Sequence, residues 1–299
     1  MIPMRHLKAL LRTAERTAEK TSVQACIIAC LLILCSSVAV AATSTATGNT
    51  SVGAEQTVPV LGVDEEDAHA NWKRAISNDQ VETLWSAWQA RDDKATLMAL
   101  RTDNGKNAFM IACKTGHLAL FEAMLAAGAD PDATTLTGGT PIMFAALGDH
   151  ADIVERLLAE GADPNRQGTN GWSAVTIAAA KGYAQMITQL AAAGVDINAL
   201  DVYRWTPLMR AVDNGHEQVV DVLLSRDGVN VQQQDEAGNT ALHYAVAHHN
   251  TAVAAALLQA GADPDIANRE NVTARQMALG SSVPSSLSSL FEPLSLIHI

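Results

Sequence analysis

The hexapeptide "AGADPD" stands at Ala127–Asp132 and again, unchanged, at Ala260–Asp265. Two carboxylates about a proline could hold a metal or form an acid–base pair, or the string could be a turn that the fold needs repeatedly. Weaker copies lie between the two: "GADPN" from Gly161, "GVDIN" from Gly194 and "DGVNV" from Asp227. Their glycines fall at 128, 161, 194, 228 and 261, a step of 33 residues with one insertion. Self-similarity at that period marks a repeat array, in which each unit buries its apolar face against its neighbours. A catalytic pair would occur once; a turn recurs with every unit.

The same period runs through the rest of each unit. A turn position, occupied by Gly105, Gly138, Gly171, Arg204, Gly238 and Asn271, is followed two residues later by Asn107, Thr140, Ser173, Thr206, Thr240 and Thr273. An oxygen-bearing side chain there can cap a helix start, and Pro141 and Pro207 in the next position lose no helix bond. A short first helix is expected at each: "AFMIA", "PIMFA", "AVTIA", "PLMRA", "ALHYA" and "ARQMA". Their last alanines (Ala112, Ala145, Ala178, Ala211, Ala245 and Ala278) suit close helix approach, and Gly116, Gly182 and Gly215 suit left-handed stops. A second helix follows, with apolar residues at helical spacing in Leu118, Phe121, Met124 and Leu125, or Ile153, Leu157 and Leu158.

This pattern resembles the ankyrin repeat. "GNTALHYA" at Gly238–Ala245 nearly reproduces that family's "GxTPLHxA" core, and "GADPN" is its usual loop. The resemblance covers about residues 71–293 and implies an all-α repeat solenoid of helix–turn–helix units with projecting β-turn fingers. Two departures carry expectations. Only His243 stands at the "LH" position, so the other units should lose that side chain's hydrogen bond. Arg204 replaces a turn glycine, which puts a tight left-handed turn in doubt in the fourth unit.

The ends read differently. Residues 1–22 carry Arg5, Lys8, Arg12, Arg16 and Lys20, and Val23–Ala42 then runs without a charge. That layout is an export signal or a signal anchor, with "AVA" at Ala39–Ala41 fitting a cleavage site. The expectation is a periplasmic or secreted protein, touching a membrane only through residues 23–42 if these are not removed. Residues 42–65, rich in Ser, Thr and Gly, read as a flexible linker. Residues 66–101 match the repeat only loosely, with Ala75, Val81, Leu84 and Trp88 in register and Trp85 and Trp88 covering the first interface, and read as a capping repeat without a finger.

Residues 102–293 are the array of about six units, and Leu290 and Phe291, 33 residues after Leu257 and Leu258, belong to a last helix that Pro284 could start. "LSLIHI" at Leu294–Ile299 stands where the next loop glycine is due. It reads as the translation of a transposase adapter used in sequencing libraries; an apolar tail is the alternative.

Chemistry finds little foothold. Cys26, Cys30 and Cys35 lie in the apolar run and only Cys113 in the repeats, so no disulfide framework exists in the folded body. His243 and His248 are five apart, off the spacing that aligns two ligands on a helix face, and no phosphate loop, "GxSxG" or "HExxH" occurs. No catalytic residue, metal or cofactor is expected. Net charge is −12 overall, and five basic against two acidic residues in 1–41 leave −15 for the rest, a body that repels nucleic acid.

What remains is a binding surface for a protein partner. The ankyrin resemblance implies a concave face of finger tips and first helices. The residues matched to it include Leu136 and Leu147 in the second unit, Trp172 and Lys181 in the third, Tyr203, Trp205 and Asp213 in the fourth, and His248 in the fifth. In a chain with 4% aromatics, Trp172, Tyr203 and Trp205 on neighbouring fingers are expected to form one exposed patch. The reading is a non-catalytic interaction scaffold outside the cytoplasm; the alternatives are the interaction region of a larger enzyme cut after Pro293, or a secreted effector acting on a host protein.

Overall fold

The computed structural model describes residues 65–280 and 283–292. The export-signal reading, the linker up to residue 64 and the hexapeptide Leu294–Ile299 lie outside the described residues. Those described are helical throughout, apart from turns and one isolated bridge between Ala267 and Thr273.

Five helix pairs recur: α4 (Ala108–Thr115) with α5 (Leu118–Ala126), α6 (Pro141–Gly148) with α7 (Ala151–Ala159), α8 (Ala174–Lys181) with α9 (Ala184–Ala192), α10 (Pro207–Asp213) with α11 (Glu217–Leu224), and α12 (Ala241–Ala247) with α13 (Thr251–Gln259). Before them come α1 (Glu65–Ser77), α2 (Val81–Ala90) and α3 (Lys94–Ala99); after them come α14 (Ala274–Ala278), α15 (Ser285–Ser288) and a 3-10 turn at Ser289–Phe291. First helices pack in a row from α4 through α6, α8, α10 and α12 to α14, and second helices in a parallel row from α7 to α15. The result is a solenoid.

One side-chain register explains both rows. The alanines closing the first helices, from Ala112 to Ala278, are fully buried, because the absent side chain lets successive helices approach. On the second helices the buried triplets are Leu120/Phe121/Met124, Ile153/Val154/Leu157, Met186/Ile187/Leu190, Val219/Val220/Leu223 and Val253/Ala254/Leu257. Residues i, i+1 and i+4 share one helix face, so each triplet meets its neighbours'. Leu118, read from the sequence as part of this face, is 46% exposed, one position off that face.

The helix starts differ in detail. Asn107, Thr206 and Thr273 accept the amide three residues on (Met110, Met209 and Gln276). Thr140 and Ser173 make no such bond, and Pro141 sets the start of α6.

The ends close the stack. On α1 and α2, Trp72, Ala75, Ile76, Leu84 and Trp88 are buried, Val81 is half-buried, and Trp85 tilts over the His117 ring at 5.6 Å between centroids. Helix α3, for which the sequence reading names no element, buries Leu97 and is preceded by the Arg91–Asp93 ion pair at 2.7 Å. That guanidinium, with His69 beside it, holds the Asp93 carboxyl well below its usual range. At the other end Leu287 and Phe291 are buried and Leu290 is 36% exposed. The expected pair of Leu290 and Phe291 is thus shifted, because residues four apart share the inward face.

Candidate functional site

The repeated hexapeptide proves to be a ladder. Within each motif the first side chain accepts the amide two residues on: Asp130 from Asp132, Asp163 from Asn165, Asp196 from Asn198, Asn230 from Gln232 and Asp263 from Asp265. The last side chain then reaches the next unit. Asp132 accepts from the Asp163 amide at 3.1 Å, Asn165 from Asp196, Asn198 from Asn230 and Gln232 from Asp263. These side chains shape the turn after each second helix and join it to the turn of the next unit. Asp265 instead takes Arg275 at 2.7 Å, which holds its carboxyl below the ordinary value.

A second ladder joins the fingers. The amides of Leu136, Thr169, Val202, Glu236 and Arg269 donate to the carbonyls of Asn104, Thr137, Asn170, Tyr203 and Ala237 on the finger before. The turn residues just after those carbonyls take positive φ, and the next finger lies close: a Cβ on Gly171 would meet the Asp201 Cα at 2.6 Å. Arg204 nevertheless keeps the left-handed turn, with φ 62°, and Asn271 does so at 57°. The doubt raised by Arg204 is therefore resolved against the sequence reading, since Tyr203 and Glu236 keep their bond and hold the turn.

The fourth and fifth fingers are braced from their bases by a carboxylate. In the fourth, Asp201 Oδ1 accepts the Tyr203 and Trp205 amides at 2.9 Å, while Oδ2 bonds Arg210 on α10. In the fifth, Asp235 Oδ1 takes the Ala237 and Asn239 amides and Oδ2 the Tyr244 hydroxyl. Burial, then that bonded carboxylate, pushes the Tyr244 phenol far up. Arg210 lies between two indoles, 5.1 Å from the Trp172 ring centroid and 4.4 Å from that of Trp205, and Trp205 tilts onto Tyr244 at 4.5 Å. A guanidinium on ring faces is favourable, so both indoles turn inward.

The expected aromatic patch is corrected by that packing. Trp172 and Trp205 are 5% and 8% exposed, buried by Arg210 and Tyr244, and only Tyr203, at 46%, faces solvent. Leu147, at 8%, is likewise packed into the core rather than displayed. Leu136 is 75% exposed on the second tip, and Val202, at 51%, joins Tyr203 on the fourth. Lys181 is half-buried at the end of α8. At the ends of the next first helices, Asp213 meets His248 Nε2 at 2.9 Å. The structure thus brings Asp213 and His248 together and separates the indoles from Tyr203.

Histidines tie units together elsewhere. His150 and His216 bond the Lys114 and Ala180 carbonyls of the preceding units, and His243 Nε2 bonds Val272 O of the next finger at 3.2 Å. His243 Nδ1 accepts the Thr240 amide at 3.1 Å, which fixes the proton on Nε2. The expected loss of this bond in other units fails in the sixth, where Gln276 accepts the Thr273 amide. Cys113 is buried, which raises its thiol well above the ordinary value. Among the described residues no group of His, Cys, Asp and Glu is placed to hold a metal, and no helix is long and apolar enough to cross a membrane.

With the helix pairs, finger ladder and loop ladder in place, comparison with protein families decides the assignment. The model for ankyrin repeats in three copies matches residues 74–168, 142–235 and 176–268. The chain belongs to the ankyrin-repeat family. No curated protein matches it. Ankyrin repeats are generally protein-interaction modules and typically non-catalytic. In this array Leu136 on the second finger and Val202 and Tyr203 on the fourth are exposed, as are Leu118, Leu279 and Leu290 elsewhere.

Proposed function

We propose that this chain is a non-catalytic ankyrin scaffold that works outside the cytoplasm and holds a protein partner on its fingers and first helices. One observation carries the surface. Leu136, Val202 and Tyr203 stand exposed on finger tips that backbone bonds and buried Asp201 hold rigid. A rigid apolar tip loses little conformational entropy on binding. The location rests on the basic flank and uncharged run of residues 1–42.

Two experiments test it. A photo-crosslinking amino acid at Leu136 or Val202 of the full chain, expressed in its own cell, is expected to give discrete protein adducts. The same group at Glu155, exposed on the second-helix side, should give none. Equal adducts from both sides would remove the finger surface. A reporter enzyme active only outside the cytoplasm, fused after residue 64, should be active; an inactive fusion removes the location.

A further inference from the structure

The turn residue of the fourth finger is an arginine where four other units have glycine and one has asparagine. Arg204 sits at φ 62°, a conformation that L side chains rarely adopt, so the array keeps it against a backbone preference that glycine would satisfy. Its side chain is exposed and makes no ion pair or side-chain hydrogen bond among the described residues. Glu236, on the adjoining tip, does not pair with it. Arg204 follows exposed Val202 and Tyr203 in the chain, and Asp201 anchors that turn from below by accepting the Tyr203 and Trp205 amides. The second tip, two units away, adds Leu136, with exposed Thr169 between.

We propose that the fourth finger tip is a carboxylate-reading anchor: Arg204 takes an Asp or Glu side chain of an extended partner segment, while Tyr203 and Val202 take apolar residues flanking it and Leu136 takes one further along the segment. This rests on the partner-binding reading above and specifies its chemistry. The charge complementarity is local: against the repulsion of the acidic body, an exposed guanidinium can bind one carboxylate with two parallel bonds. Reach fits as well. Units packed at helix spacing place the second and fourth tips roughly 20 Å apart, which is about six residues of extended chain.

Arg204→Gly makes the test clean, because it restores the residue that Gly105, Gly138, Gly171 and Gly238 supply elsewhere and removes backbone strain. Random twelve-residue peptides displayed on phage would be selected on the full chain, and the enriched ones made synthetically and titrated by fluorescence anisotropy. Enrichment of an acid flanked by aliphatic or aromatic residues is expected. Binding should weaken at least tenfold in Arg204→Gly, and equally when the peptide's Glu or Asp is changed to its amide, with Tm unchanged or raised.

Peptides that bind Arg204→Gly as well as the parent, or tolerate the amide, overturn the carboxylate assignment. If those same peptides still require Leu136 and Tyr203, the finger surface stands without it. If Leu136→Asp and Tyr203→Asp leave every binder unaffected, or no binder is enriched, both the anchor and the surface fail.

Discussion

His243 shows how one side chain can connect two units and make the connection depend on pH. Its Nδ1 lone pair holds the Thr240 amide and its Nε2–H holds the next finger at Val272. Burial lowers its pKa, because desolvation disfavours the charged ring, and it outweighs the Val272 carbonyl and Asp235, which act in the opposite direction. The unfolded chain then binds more protons than the folded one below the ordinary histidine value. The stability from this group is complete above about pH 6.5 and is lost as pH falls through the depressed folded value. His243→Gln, with the side chain that Gln276 uses in the sixth unit, keeps the accepted amide and removes the titration. Urea unfolding of the two proteins should show the parent losing more stability between pH 7 and pH 5 than the variant; parallel curves would mean that His243 does not titrate on unfolding. Gly171→Ala tests the backbone at the same scale. At φ 75° with the Asp201 Cα 2.6 Å from the added Cβ, it should cost at least about 1–2 kcal/mol, read by thermal unfolding.

The finger is the element in which two solutions to one packing problem sit in a single chain. In the second unit, Thr135 accepts the Gly139 amide and Phe144 fills the helix position behind it. In the fourth, Asp201 accepts the matching Trp205 amide and Arg210 stands where Phe144 does, as a buried ion pair between indoles. Breaking such a pair strands a buried charge, so Arg210→Ala should lose about 3–5 kcal/mol. Asp201→Thr with Arg210→Phe, copied from the second unit, should recover much of that loss in a denaturant titration. A double variant no more stable than Arg210→Ala would mean that the indoles depend on the guanidinium itself.

Nothing in the local sequence distinguished these solutions, and this is why the aromatic patch was misread. The period placed Trp172 and Trp205 on fingers correctly, but their direction depends on residues 38 and 39 positions downstream, Arg210 and Tyr244. Helix starts, turn glycines and fully buried alanines were legible because each is set within its own unit. Leu136, Val202 and Tyr203 were legible as tips, because the period alone places them just before the turn residue.

At the scale of the molecule, every unit touches only its neighbours, so stability is close to a sum of unit and interface contributions. The interfaces differ along the array. Interior units share the loop ladder, the finger ladder and two helix rows. The sixth has the short helix α14, with Asp265 held by Arg275 and one second-helix face made of Leu287 and Phe291. Leu157 lies on the second helix of an interior unit and Leu287 at the end of the second-helix row, and both are fully buried. Truncating either removes similar apolar surface, about 2–5 kcal/mol, yet the consequences should diverge. Leu157→Ala weakens both of its interfaces, so amide exchange should accelerate from the first unit through the third, and the unfolding transition should broaden or split. Leu287→Ala weakens one, so faster exchange should stay within α13 to Phe291 while the transition of the rest is unchanged. Hydrogen exchange read by mass spectrometry resolves the two patterns. Uniform acceleration from either substitution would show instead that the six units unfold as one body.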